Sequence, residues 1–296
     1  MSTIQLIILA ALVAFGFTMA FGSFLINRLQ SFQGQGQPIR KDGPESHIIA
    51  KAGTPTMGGL IIMFATLISA YIFADVLDRY FVTCCFAIVS FGALGLIDDY
   101  LKVKAHSSRG ISARAKFLAQ ALLSIFITIG ITSAQPEAVR SMVFIPNADV
   151  FGVDLGVFFY IFAIIVIAGA SNAVNLTDGL DGLAIVPVIL ATLSFIIISY
   201  MLGGEEIKDT MIFLSAMIGA CLGFLWFNCH PAKIFMGDVG SLSLGAVLGT
   251  VSIITKHEVV LAIVGAVFIA ETASVMLQVG SYKLRKKRIF LMSPLH

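Results

Sequence analysis

Charge is what this chain has least of. Only 12% of its 296 residues are Asp, Glu, Lys or Arg, while 58% are hydrophobic and mean hydropathy is +0.95. Soluble domains carry about a quarter charged residues, so a soluble domain is excluded. Cysteine is also scarce. Cys84, Cys85, Cys221 and Cys229 form no CxxC pair, which leaves neither a zinc site nor a disulfide framework and makes them packing residues. The alternation of short strands that marks a membrane β-barrel is missing. No Lys or Arg precedes the first apolar run, so that run reads as an uncleaved span rather than a secretory signal. The glycine-rich stretch at 51–59 has no GK[ST] ending, His257-Glu258 does not extend to HExxH, and no nucleic-acid motif occurs. Linkers, low-complexity tracts and convincing internal repeats are absent as well.

What is present is a succession of apolar stretches of about 20 residues, the length that crosses a bilayer. They lie near 4–26, 58–75, 80–97, 116–134, 156–174, 183–202, 211–227, 239–255 and 259–280. The expected fold is therefore an all-α polytopic transmembrane bundle of about nine spans, forming one domain over 1–296. With the N-terminus outside, the loops at 27–57, 98–116, 175–182, 228–238 and 281–296 hold fifteen of the nineteen Lys and Arg residues. Arg79, Arg140, Lys208 and Lys256 remain for the outer side. This bias sets those five loops in the cytoplasm. Gly219-Ala-Cys-Leu-Gly223 and Gly245-Ala-Val-Leu-Gly249 suit close helix approach, within one molecule or across a dimer face.

Acidic residues kept beside apolar spans need a reason, and five of them share the cytoplasmic side: Asp98, Asp99, Asp178, Asp181 and Asp238. Oxygen-only clusters suit a hard cation such as Mg²⁺, which typically draws its other ligands from water and substrate phosphates. In Asp98-Asp99-Tyr-Leu-Lys102, neighbouring carboxylates stand about 100° apart on a helix and are not expected to address one point, whereas Asp98 and Lys102 share a face. A surface ion pair and a split functional pair explain this run about equally. Between Asn172 and Gly182, Asn172, Asn175, Asp178 and Asp181 offer several oxygens around Gly179 and Gly182; a polar turn explains one or two such residues but hardly four. Asn175-Leu-Thr177 matches a glycosylation sequon only by formula, because its loop is cytoplasmic.

A third run, Asn228-Cys-His230-Pro-Ala-Lys233-Ile-Phe235-Met-Gly-Asp238, ends just before an apolar span. Asp238 there suits helix capping or metal binding at a positive helix end. Asn228, His230 and Lys233 are candidate phosphate or base contacts, though a His beside Pro is more often a solvated loop residue. Lys51 with Thr54 and Thr56 is a further phosphate candidate. The basic run 283–288 reads as a stop anchor on anionic lipid. Glu271, the lone mid-span acid, either stabilises a kink or pairs with another helix near Gln278.

Together these runs resemble the phospho-N-acetylmuramoyl-pentapeptide transferase family, within the polyprenyl-phosphate N-acetylhexosamine-1-phosphate transferases. The likeness is carried by Lys-x-Gly-Thr-Pro-Thr-Met-Gly-Gly at 51–59, Asp-Asp-Tyr-x-Lys at 98–102, Asn-Leu-Thr-Asp-Gly-Leu-Asp-Gly-Leu at 175–183, Phe-Met-Gly-Asp-Val-Gly-Ser at 235–241 and the run from Glu271 to Gly280. The resemblance implies transfer of phospho-MurNAc-pentapeptide from UDP to undecaprenyl phosphate, giving lipid I and UMP with Mg²⁺, in a bacterial inner membrane and often in a homodimer. It implies Asp98, Asp99 and Asp238 as the core acids, Asp238 as metal ligand, and Lys51, Thr56, Lys102, Asn172, Asn175, Asp178, Asp181, Asn228 and His296 as substrate-binding residues. The family pattern carries two more histidines after the one matching His296, then a tenth span, so the chain is expected to be C-terminally truncated relative to it. A related enzyme using UDP-GlcNAc is the nearest alternative. A transporter ranks low, because transporters place coupling charges at the bilayer midplane.

Overall fold

The computed structural model describes residues 1–34, 53–107, 109–145, 152–201, 205, 207–290 and 292–295. Lys51 and His296 lie outside them. The described helices are α1 (Thr3–Gln33), α2 (Gly59–Phe73), α3 (Arg79–Lys104), α4 (Ala113–Ala134), α5 (Phe159–Thr177), α6 (Ile185–Met201), α7 (Lys208–Asn228), α8 (Gly237–Ile254), α9 (Glu258–Val264) and α10 (Ala266–Arg285). Each apolar stretch expected to span is helical over most of its described residues. Six of these helices, α5 counted with the single 3₁₀ turn before it, are long and apolar enough to cross a membrane alone. α2 and α6 are shorter apolar helices.

The stretch expected as one final span is two helices, α9 and α10, bent by 81°. Gly265 caps the end of one and the start of the other, and glycine is the residue that least favours an uninterrupted helix. Other boundaries follow ordinary capping. Ser2 and Gln5 form a reciprocal capping box, Asp78 accepts from the Phe81 N–H, and Ser112 accepts from the Ala115 N–H.

The molecule is organised around α8, whose residues from Val239 to Ile254 are all buried. Its Gly, Ala and Ser side chains are too small to hold neighbours away, so helix backbones pack directly on one another. A side chain at Gly245 would run into the backbone of Ala170 and Ser171 in α5; one at Gly219 of α7 would run into Ala11 of α1. Both GxxxG patterns therefore serve packing inside one molecule. α1 is the opposite case, with Ile4, Ile8, Leu12, Phe15, Phe21 and Phe24 exposed along it, as a lipid-facing helix requires.

A short antiparallel hairpin, β1 (Met142–Phe144) with β2 (Gly152–Asp154), pairs Val143 with Val153. It links the C-terminal end of α4 to the start of α5, far from the acidic residues at the other ends of those helices. Nothing in the sequence reading pointed to it.

Candidate active site

The site is assembled where α3 and α5 end and where α4 and α8 begin. The contact that brings the acids together is a glycine. Gly95 of α3 lies directly on the main chain of Asp238 and Val239, with no room for a Cβ. One turn further along α3, Asp98 and Asp99 arrive beside Asp238, and both are buried, at 2% and 1% exposure. One carboxylate oxygen from each of Asp98, Asp99 and Asp238 lies within 4.8 Å of the others.

The expectation that Asp98 and Asp99 would not address one point is corrected here. They diverge on the helix, but Asp238 approaches from α8 and a shared cation spans the gap. Lys102 Nζ is 2.6 Å from Asp98 Oδ2, 3.1 Å from Asp238 Oδ2 and 3.6 Å from Asp99 Oδ1. The Asp98–Lys102 pair is thus not a surface ion pair, its carboxylate being buried and its ammonium half-buried.

A second ammonium completes the centre. Lys116 Nζ donates to Asp238 Oδ2 at 2.6 Å and lies 3.7 Å from Asp98 Oδ2. The sequence reading missed Lys116, counting it only among the cytoplasmic cations. One signal was available: it sits just inside the start of α4, where a lysine opposes the helix dipole and needs compensation from nearby acids. Three carboxylates against two ammoniums leave a formal charge of −1.

The remaining polar atoms fix the carboxylates. The Ile111 N–H donates to Asp98 Oδ1 at 2.7 Å. The Val239 N–H approaches Asp99 Oδ2 at 3.4 Å. Asn175 Nδ2 donates to Asp238 Oδ1 at 2.9 Å and to Ser241 Oγ at 2.8 Å. Gly237 takes a positive φ of 71°, and the space a Cβ would fill there is occupied by Asp99 Oδ2 and Thr56 Oγ1. Thr56 is held in turn by Gln33, which receives the Thr56 N–H at 2.9 Å and donates to its carbonyl at 3.0 Å.

Two buried oxygens in this group have no hydrogen-bond partner among the described residues: Thr56 Oγ1, and Asp99 Oδ1, whose nearest cation is Lys102 Nζ at 3.6 Å. Buried polar atoms are normally satisfied. An all-oxygen donor set with an unsatisfied carboxylate oxygen fits a hard divalent cation.

The other expected site residues divide into those near this centre and those apart from it. Asn172 pairs with Gln120 through both carboxamides, at 2.8 and 3.3 Å, rather than with a carboxylate. Asp178 caps the end of α5, one turn beyond Asn175. Asp181 and Asn228 belong to a separate cluster that joins two loops. Asp181 Oδ2 meets His230 Nδ1 at 3.0 Å and accepts from the Ala232 N–H at 3.2 Å. Asn228 accepts from the Gly182 N–H at 3.0 Å and donates to the Ile234 carbonyl at 2.9 Å.

Fold and site together define a polytopic α-helical membrane protein with a buried carboxylate–lysine centre at one end of its bundle. The model for glycosyl transferase family 4 matches residues 80–256, and a phospho-N-acetylmuramoyl-pentapeptide-transferase signature matches 51–63. The chain is 47% identical over 301 residues to the phospho-N-acetylmuramoyl-pentapeptide-transferase of Rickettsia bellii strain RML369-C, covering 97% of this chain and 83% of that one. Identity to the transferases of the same name is 46% over 303 residues for Rickettsia felis and 45% over 301 residues for Rickettsia prowazekii, with the same shares covered. The chain belongs to the phospho-N-acetylmuramoyl-pentapeptide transferase family.

Proposed function

We propose that the protein transfers phospho-MurNAc-pentapeptide from UDP-MurNAc-pentapeptide to undecaprenyl phosphate, forming lipid I and releasing UMP in peptidoglycan synthesis. The observation that carries this reading is the convergence of Asp98, Asp99 and Asp238 with Lys102 and Lys116 in one buried centre. The reaction brings an anionic phosphate to an anionic pyrophosphate, so neutralising and aligning charge is its main demand. Mg²⁺, when bound, would supply Lewis-acid stabilisation of the pyrophosphate oxygens. Asp238 and Asp99 would hold it, and Lys102 and Lys116 would then turn toward phosphate.

Asp98 fits the role of organiser. One of its oxygens is engaged by the Ile111 N–H and the other by Lys102. The acceptor phosphate has its second pKa near about 6 and is largely dianionic at neutral pH, so it needs little help from a base. These points favour direct displacement by the lipid phosphate over a covalent phospho-sugar on Asp98.

In this reading residues 1–296 act as one membrane domain, the site opens to the cytoplasm of a bacterial inner membrane, and the molecule works as a homodimer in contact with membrane lipids. The Lys and Arg bias of the loops supports the orientation. Thr56, Lys102, Asn172, Asn175, Asp178, Asp181 and Asn228 are assigned to the nucleotide and phosphate side, with Lys51 and His296.

The test is UMP release from membranes holding the protein, given undecaprenyl phosphate, Mg²⁺ and either UDP-MurNAc-pentapeptide or UDP-GlcNAc. Release with the muramoyl donor, abolished by EDTA and reduced at least about 100-fold by Asp238→Asn, is expected. Release with UDP-GlcNAc alone, or an Asp238→Asn protein of near-normal activity, would overturn the assignment.

A further inference from the structure

α10 carries polar side chains at Glu271, Ser274, Gln278 and Ser281, a spacing that puts them on one face of a helix. Polar groups at membrane depth are costly unless satisfied. Here the chain beyond α10 turns back and meets each of them in reverse order, Ser274 Oγ also donating to the Glu271 carbonyl at 2.7 Å. Ser281 Oγ donates to the Lys287 carbonyl at 2.8 Å. Gln278 Oε1 accepts from the Ile289 and Phe290 N–H groups at 2.9 and 3.0 Å, while its Nε2 donates to the Phe290 carbonyl at 3.1 Å. Ser274 Oγ lies 3.4 Å from Ser293 Oγ. Glu271 Oε2, on a side chain that is only 7% exposed, accepts from the Leu295 N–H at 2.6 Å.

We propose that this face of α10 is a track that seats the returning residues 287–290 and 292–295, with Glu271 and Gln278 as positioning residues for the substrate-binding residue that comes next in sequence. A single contact would be ordinary packing. Four in antiparallel order hold the returning residues in register, and among the described residues no strand pairs with their main-chain groups. Glu271 makes the charge-assisted contact at the far end, on the amide one residue before His296. The cost of burying its carboxylate is thereby offset without a catalytic role. The proposal rests on the function proposed above, since that reading assigns His296 to substrate.

Two measurements separate the inference from that reading. In protein lacking the native cysteines, Ser274→Cys with Ser293→Cys should form a disulfide under mild oxidation, and Gln278→Leu or Glu271→Ala should slow it about tenfold, the factor carried by one hydrogen bond. In the UMP assay Glu271→Ala should raise KM for UDP-MurNAc-pentapeptide about tenfold with kcat less affected, and Glu271→Gln, which keeps the acceptor oxygen, should restore it. Crosslinking unchanged by Gln278→Leu and Glu271→Ala would overturn the inference, as would equal KM values in Glu271→Ala and Glu271→Gln. If the parent protein releases no UMP, the functional reading fails, while the crosslinking rates still decide whether the track exists.

Discussion

Replacing Gly95 with Ala tests how the site is built. A Cβ at this position would sit 2.6 Å from Val239 N and closer still to the carbonyl of Asp238. Ordinary contact begins at 3.4 Å, so α3 must retreat from α8 by roughly 1 Å. Backbone atoms receive the clash, and no side-chain rotation relieves it. Such overpacking costs about 1–3 kcal/mol of stability. The larger effect should be on activity, because Asp98 and Asp99 ride on the displaced turn while Asp238 stays with α8. A misplacement of about 1 Å can cost about 100-fold in rate. The assay is UMP release by purified protein in lipid, with thermal unfolding followed in parallel. Gly169→Ala is the control, since nothing lies within 4 Å of the added methyl there, and it should leave kcat within about twofold. If Gly95→Ala also keeps kcat within about twofold, the helix contact does not set the spacing of the acids and the reasoning fails.

Three further outcomes follow from the same geometry. Lys116→Met should lower kcat by about 100-fold or more while leaving the fold intact, because it removes an ammonium facing Asp238 and the developing charge; kinetics with circular dichroism check both parts. Gln33→Leu should lower kcat/KM by about tenfold, since the Thr56 backbone loses the two hydrogen bonds that hold it beside the acidic centre, and Gln33→Glu should not rescue it because the carboxylate cannot donate to the Thr56 carbonyl. Asn228→Ala frees both the Gly182 N–H and the Ile234 carbonyl, so it should destabilise the protein by about 1–3 kcal/mol besides raising KM for the nucleotide donor, and thermal unfolding would show whether that structural share exists.

Much of this architecture was legible in the residues. Apolar runs of bilayer length marked α1 to α8, and acids retained at span ends marked Asp98, Asp99 and Asp238, because both signals depend on local composition alone. What escaped depended on how helices face one another. The Asn172–Gln120 pair is set by the rotation of α5 against α4. Lys116 looked like any cytoplasmic anchor until α4 was placed beside α8. The break at Gly265 was hidden because glycine is common inside spans. The sequence suggests a kink or a partner helix near Gln278 for Glu271, whereas both side chains meet the returning backbone, which no periodicity announces. Asp181 reads as a candidate oxygen donor and Asn228 as a candidate phosphate or base contact; the hydrogen bonds by which they also join two loops become visible only once both loops are in place.

The account depends most on Asp98, Asp99 and Asp238 forming one cation centre. Mn²⁺ titrated into the purified protein and followed by electron paramagnetic resonance addresses this without any need for turnover. A bound-Mn²⁺ signal in the parent protein, weakened in each of Asp98→Asn, Asp99→Asn and Asp238→Asn and displaced by excess Mg²⁺, is the expected result. Undiminished Mn²⁺ binding in all three variants would contradict it.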